Sequence, residues 1–276
     1  MRRSLRGALA ALATVAVGAL APASASATHS ASTPIHPGVM TFTAGAQCTA
    51  NFIFSDGSGT YIGQAAHCSG TGAATETNGC DAESLPLGTP VEVGGASQPG
   101  TLVYNSWIAM QEVEETDGDA CAYNDFALVQ IAAADVGRVD PSVPGFGGPT
   151  ALGGSGAQLG DTVYSYGNSS LRLGITKLSP KQGTVIQSEG NGWSRTVLTA
   201  TPGVPGDSGS GFMSASGEAI GTLSTLQVLP LTGTNGVADL SHELSYARDN
   251  SPFSGVALVP GTQSFSPDWV GAILNS

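Results

Sequence analysis

The chain predicts an all-β fold, a sandwich or barrel in two halves, and three observations lead there. From Val39 onward, short β-prone runs alternate with turn clusters, the rhythm of sheet proteins. A Pro/Gly-rich connection, Asp140–Gly156, divides the chain, and such composition shifts mark boundaries. Helical signals are confined to two short stretches near the C-terminus.

Asn51–Phe54 runs into the turn Asp56-Gly57-Ser58-Gly59, and Tyr61–Ala66, Val91–Val93, Thr101–Met110 and Phe126–Ile131 follow as strands. Five acidic residues, Glu112, Glu114, Glu115, Asp117 and Asp119, precede Cys121. They lack the D-x-D-x-D-G spacing of a calcium loop and read as a solvated loop. After the connection come Thr162–Tyr166, Gly183–Gln187, Thr196–Ala200, Gly211–Met213 and Ala219–Leu226. Asp239–Arg248 carries Leu240, Leu244 and Ala247, a short amphipathic helix. Ser266-Pro267-Asp268 ahead of Trp269 reads as a helix start, with a capping serine and proline at the first helical position.

Arg2, Arg3 and Arg6 form a positive n-region, and Gly7–Leu20 is uncharged and mostly apolar. Ala25-Ser26-Ala27 then fits a small-x-small cleavage site, so residues 1–27 read as a secretory signal peptide. The apolar stretch is shorter than the roughly 20 residues a membrane span requires. Cleavage leaves 249 residues, with 28–38 as a flexible leader and two units, 39–145 and 146–276. That mature chain has six basic and 21 acidic residues. The balance argues against nucleic acid, whose phosphates need cations, and does not point to an anionic membrane. Four cysteines, Cys48, Cys68, Cys80 and Cys121, read as two disulfides in an exported chain, with three connectivities open. No second cysteine or histidine pair supports zinc.

Three stretches carry candidate chemistry. Ala65-Ala66-His67-Cys68 ends a strand in a turn; His67 is either a structural histidine or a base. Asp125, in Asn124-Asp125-Phe126-Ala127-Leu128-Val129, sits at the mouth of a buried strand. A carboxylate there needs a donor, supplied by an imidazole N–H or by backbone. Val204–Gly211 packs three glycines and a proline around Ser208. Pro205-Gly206 suits a type II turn that can aim the N–H groups of Gly206 and Ser208 at one point. Such a point holds the oxyanion of an acyl-transfer intermediate, and the plainer alternative is a Gly-rich hairpin. A serine hydroxyl needs an adjacent base, and that base needs an orienting partner. His29, His36 and His242 lie outside such settings.

With these residues quoted, the chain resembles the chymotrypsin-like (trypsin-like) serine endopeptidases, in their secreted bacterial form. The resemblance implies two six-stranded antiparallel β-barrels with a short C-terminal helix. It implies a triad of His67, Asp125 and Ser208, with the N–H groups of Gly206 and Ser208 as the oxyanion hole. Ala219–Ser224 resembles the strand whose serine supports the triad, so Ser224, Thr225 and Leu226 are expected to bind substrate. The preferred disulfides are Cys48–Cys68, similar to the family's bridge across the histidine loop, and Cys80–Cys121. The implied protein is an extracellular monomer acting on protein or peptide, without cofactor or metal.

Several positions depart from the family pattern. Ser210 fills a slot usually held by glycine, and Thr225-Leu226 stands where an aromatic and a glycine are usual. Leu226 there is expected to narrow the primary specificity pocket. Pro202 replaces the aspartate of Arg/Lys-specific members, and Leu223 replaces the histidine that resembles a glutamate pocket. An apolar or small residue before the cut is expected. No I-V-G-G-like sequence precedes Cys48, so Asp207 lacks the N-terminal ammonium partner found in animal members, and Arg138 is a substitute candidate. The rivals are a catalytically silent protease-like binding protein and a secreted serine esterase. The esterase is disfavoured because Gly206–Ser210 lacks the second glycine of a G-x-S-x-G elbow.

Overall fold

Fourteen strands and four short α-helices occur among the described residues of this computed structural model, namely 34–73, 76–154, 157–227 and 234–276. For Leu226 and Gln227 the strand is described but not the side chains. The expected signal peptide (1–27) and residues 28–33 of the expected leader lie outside the described residues. The rest of that leader is packed rather than free: Ile35 is buried and bridges Val139, and Gly38 N donates to Ala50 O.

The first part of the chain contributes β1 (Met40–Thr43), β2 (Ala46–Thr49), β3 (Ile53–Ser55), β4 (Thr60–Gln64), β5 (Pro90–Val93) and β6 (Gly100–Asn105). Helices α1 (Ser106–Glu112) and α2 (Gly118–Tyr123) and strand β7 (Ala127–Gln130) complete it. The second part contributes β8 (Thr162–Tyr166), β9 (Pro180–Glu189), β10 (Ser194–Thr199), β11 (Gly211–Ser214), β12 (Ala219–Gln227) and β13 (Thr234–Asp239). Helix α3 (Leu240–Asp249), strand β14 (Ala257–Leu258) and helix α4 (Trp269–Leu274) follow.

Strands β8 to β13 close into a six-stranded antiparallel barrel in the order β10-β13-β12-β11-β8-β9. Its interior is filled by Val163, Val185, Val197, Phe212, Leu223 and Val237. The other eight strands form one sheet, β14-β3-β4-β7-β6-β5-β1-β2, over a core of Ile53, Ile62, Val91, Leu102 and Val129. The fold is therefore mostly β, with one closed barrel, a second sheet and few helices. Two features give that sheet more than the six strands expected. Ala44 and Gly45 both take positive φ and fold β1 back onto β2 as a two-residue hairpin. Strand β14 returns from late in the chain to pair with β3. A third core cluster holds Phe52, Tyr104 and Phe126 with Tyr164, Leu240 and Leu244, so side chains of both sheets and α3 pack together.

The strand expected over Thr101–Met110 ends at Asn105. There the backbone is still extended, and the Asn105 side chain accepts from Trp107 N and Ile108 N, capping α1. A cap of this kind satisfies orphan N–H groups and overrides the β-prone residues that follow. The acidic run is part helix: Glu112 ends α1, and Asp117 caps α2 by accepting from Asp119 N. Helix α4 starts two residues later than expected, because Asp268 rather than Ser266 is its cap. Helix α3 lies where the sequence placed it.

Candidate active site

Strand β4 ends in a short 3-10 turn, Ala66–Ser69, that carries His67. The Cys48–Cys68 disulfide ties this turn to β2, and Cys80 is bonded to Cys121. Asp125 lies just ahead of β7 and is 4% exposed. It holds His67 at two points: Oδ1 accepts from the His67 backbone N–H at 2.9 Å, and Oδ2 lies 2.7 Å from Nδ1. Ser224 Oγ also donates to Oδ2, at 2.6 Å. The register of β12 slips between Leu223 and Thr225, and a slip of this kind re-aims a side chain out of the ladder.

These contacts fix the protonation pattern. Burial works against the Asp125 anion, but the charge of His67 and hydrogen bonds from His67 and Ser224 outweigh it and lower its pKa. For His67, burial pushes the pKa down, and the Asp125 charge and hydrogen bond more than reverse this, leaving it raised. With Asp125 ionised, Nδ1 carries the proton and Nε2 is the basic nitrogen. Among the described residues, Nε2 and Ser208 Oγ have no hydrogen-bond partner and remain available at the cleft. Nucleophile–base pairs are often long without substrate and tighten once it binds.

Ser208 follows a tight turn in which Asp207 N donates to Val204 O at 2.9 Å and Gly206 has φ +96°. This is the type II geometry anticipated for Pro205-Gly206. The loop is pinned on both sides: Thr49 N donates to Ser208 O at 2.8 Å, and Gly209 N to Leu223 O at 2.7 Å. Gly209, at φ +86°, passes so close to Thr49 O and Ala65 N that a Cβ would collide with them. The N–H groups of Gly206 and Ser208 donate to no acceptor among the described residues, whereas those of Asp207, Gly209 and Ser210 are all paired.

His67, Asp125, Gly206, Ser208, Ser224 and Thr225 all line one cleft of about 610 Å³. Leu226 lies on β12, but its side chain, expected to narrow the specificity pocket, is outside the described residues. His67 lies close to Cys48 and Cys68, but those sulfurs are bonded to each other and are not thiolate ligands.

Arg138 is not the partner of Asp207; it pairs with Asp135 at 3.2 Å. Asp207, fully buried, instead meets Arg172 and Lys181, whose Nζ lies 3.1 Å from Oδ2. Burial and Arg172 drive the Lys181 pKa down to about 8, against the pull of Asp207. Arg172 and Lys181 escaped the sequence reading because ion pairing across a fold leaves no local pattern. Glu243 escaped too, although a signal existed. It sits with Leu240, Leu244 and Ala247 in one helical stripe, and that stripe is the buried face of α3.

Neither a protein-family model nor a curated protein matches the sequence. Solved structures do match in fold. Protease A of Thermobifida fusca aligns with TM-score 0.54 at 20% identity, covering 82% of this chain and 99% of that one. A Nocardiopsis protease aligns with TM-score 0.51 at 19% identity, covering 81% of this chain and 98% of that one. A glutamic acid specific serine protease gives 0.50 at 18% identity, covering 82% of this chain and 100% of that one. The chain has the fold of bacterial chymotrypsin-like serine proteases. At these identities the likeness speaks for the fold alone, and function is argued from the residues in the cleft.

Proposed function

We propose that this protein is a secreted serine endopeptidase. The observation that carries the reading is the Asp125 carboxylate. It accepts hydrogen bonds from His67 at two nitrogens and from Ser224, in the cleft that Ser208 also lines. In this reading His67 Nε2 takes the Ser208 proton as Oγ attacks the scissile carbonyl carbon. The oxygen of the tetrahedral intermediate is held by the N–H groups of Gly206 and Ser208, a contribution of about 3 kcal/mol per donor. Collapse breaks the C–N bond, and the imidazolium gives its proton to the leaving amine. Water then repeats the sequence on the acyl-enzyme, releasing the acid and restoring Ser208. Asp125 stays ionised throughout, orienting the ring and stabilising the imidazolium.

Ser224, Thr225 and Leu226 form the strand edge against which substrate backbone pairs, with an apolar or small residue before the cut. Cys48–Cys68 keeps the histidine turn against β2. The Asp207 carboxylate is neutralised by Arg172 and Lys181, so the loop before Ser208 needs no newly released N-terminus. The eight-stranded sheet wraps into the counterpart of the closed barrel, with units at 39–145 and 146–276. The enzyme works outside the cell as a monomer after loss of residues 1–27, with 28–38 as a leader, and needs no cofactor.

The test is fluorophosphonate labelling of the purified mature protein, with Ser208→Ala as control. Covalent labelling of the wild type that disappears in the variant supports the reading. A folded wild type that does not label supports a silent binding protein instead. Labelling with turnover of esters but not peptides favours the esterase.

A further inference from the structure

Behind the candidate triad lies a second buried carboxyl group that the proposed reaction does not use. Glu243, on α3, is completely buried. Its Oε1 accepts the backbone N–H of Asp125 at 3.3 Å, and its Oε2 accepts from Thr222 Oγ1 at 2.8 Å. Thr222 belongs to β12, two residues before Ser224. Asp125 is therefore held from two directions. His67 and Ser224 hold its carboxylate, and Glu243 holds its main chain.

A carboxyl group at this place needs a reason. Leu240, Leu244 and Ala247 beside it on the inner stripe of α3 are apolar, and the hydroxyl of the fourth buried neighbour, Tyr246, donates to Glu115. Leucine would continue that stripe, and buried glutamates are rare unless paired. Among the described residues no cation is paired with Glu243, and the charged groups that shift it are Asp125 and Asp239, both negative. Tyr104, on β6, has its own pKa raised by burial and by the charge of Glu243, and its buried hydroxyl has no partner among the described residues. Two ionised carboxylates this close in a dry site repel, and one then keeps its proton. Burial, reinforced by Asp125 and Asp239, pushes the Glu243 carboxyl well above the usual range, against the hydrogen bonds from Thr222 and Asp125. Asp125 is shifted the other way.

We infer that Glu243 is a positioning residue that acts as a neutral carboxylic acid, fixing the main chain of Asp125 and through it the ring of His67. This rests on the serine-protease reading of the cleft. In the neutral group Oε1 remains the acceptor that the buried Asp125 amide needs, and the proton sits on Oε2, which then donates to Thr222 Oγ1 across the same 2.8 Å contact. The neutral group adds no second negative charge beside the His67–Asp125 pair, so Asp125 alone sets the strength of the base. The arrangement also links α3 to β12 and to the segment before β7, the elements that carry Ser224 and Asp125.

The test titrates the His67 ring by NMR in the mature wild-type protein, in Glu243→Gln and in Glu243→Leu, alongside kcat and KM. Glutamine keeps an acceptor for the Asp125 amide and offers an N–H to Thr222 Oγ1. Glu243→Gln should therefore leave the His67 pKa and kcat close to wild type. If Glu243 is instead ionised, Glu243→Gln lowers the His67 pKa by roughly a unit or more, which overturns the inference. Glu243→Leu should lower kcat by about tenfold or more with little change in KM, as misplacement of a catalytic group does. A Glu243→Leu protein with wild-type kcat also overturns it. Should that variant not fold, Thr222→Val frees the other end of Glu243. It should lower kcat with KM preserved, and an unchanged kcat counts against positioning. The titration reads Glu243 even in a protein that cleaves nothing, whereas failure of Ser208 to label strikes the protease reading itself.

Discussion

Lys181 Nζ lies 3.1 Å from Asp207 Oδ2, and both side chains are fully buried. Arg172 joins the same carboxylate oxygen. This cluster sits one residue before Ser208 and anchors the turn that brings Gly206 and Ser208 to the cleft. Breaking a buried ion pair by removing one side leaves an uncompensated charge and costs about 3–5 kcal/mol. The double variant Arg172→Met, Lys181→Met should lose stability in that range by denaturant unfolding. Each single variant should lose less, because the other cation remains. A double variant with the wild-type midpoint would contradict the assignment.

In the proposed mechanism, activity should rise with pH where the stability contributed by His67 falls. The proposed mechanism needs Nε2 unprotonated, so kcat/KM should rise with pH through a midpoint above the ordinary imidazole value of about 6.5. The stability that His67 contributes is fully present below that ordinary value and is lost as pH rises through the folded one. For Asp125, whose pKa is lowered, the contribution is present above about 3.9 and is lost as pH falls through the folded value. A pH–rate profile and unfolding at several pH values check both signs.

Changes at Asp125 and at its donor Ser224 should give graded losses. Ser224→Ala deletes the 2.6 Å hydrogen bond and should reduce kcat by about tenfold, the order expected of a hydrogen bond to a charged group. Asp125→Asn keeps the shape but permits the wrong imidazole tautomer, and should reduce kcat by about 10⁴-fold. Steady-state kinetics on a peptide substrate would rank the two variants, and equal effects would speak against the orienting role.

The Cys48–Cys68 bridge closes a loop with a sequence separation of 20 and holds the turn bearing His67. Replacing both cysteines by serine should cost roughly 3 kcal/mol of stability. It should lower kcat as well, because the turn is no longer fixed to β2. The same replacement at Cys80 and Cys121 should cost stability with a smaller effect on kcat. Parallel unfolding and kinetic measurements separate the two bridges.

Much of this was legible in the sequence where the signal is local. Strand β8 has the bounds its sequence predicts, Thr162–Tyr166, because apolar and β-prone residues fill it between turn signals. The Pro205-Gly206 turn was legible because glycine takes the positive φ of a type II turn without steric cost. What escaped depends on contacts far apart in sequence. Asn105 looks like a strand residue until its side chain is seen capping α1. Nothing near Asp207 announces Arg172 or Lys181, which reach it from other elements. Strand β14 is two residues long and exists by virtue of pairing with β3. Glu243 was hidden by its type, since a glutamate in a helix reads as surface unless its place in the stripe is weighed.

Digestion of a mixed peptide library by the purified mature protein, with Ser208→Ala in parallel and products read by mass spectrometry, tests the central claim most directly. Cleavage of internal peptide bonds is expected, with an apolar or small residue before the cut, and none by the variant. Intact peptides after incubation with folded, disulfide-bonded wild type, or cleavage that persists in Ser208→Ala, would contradict it.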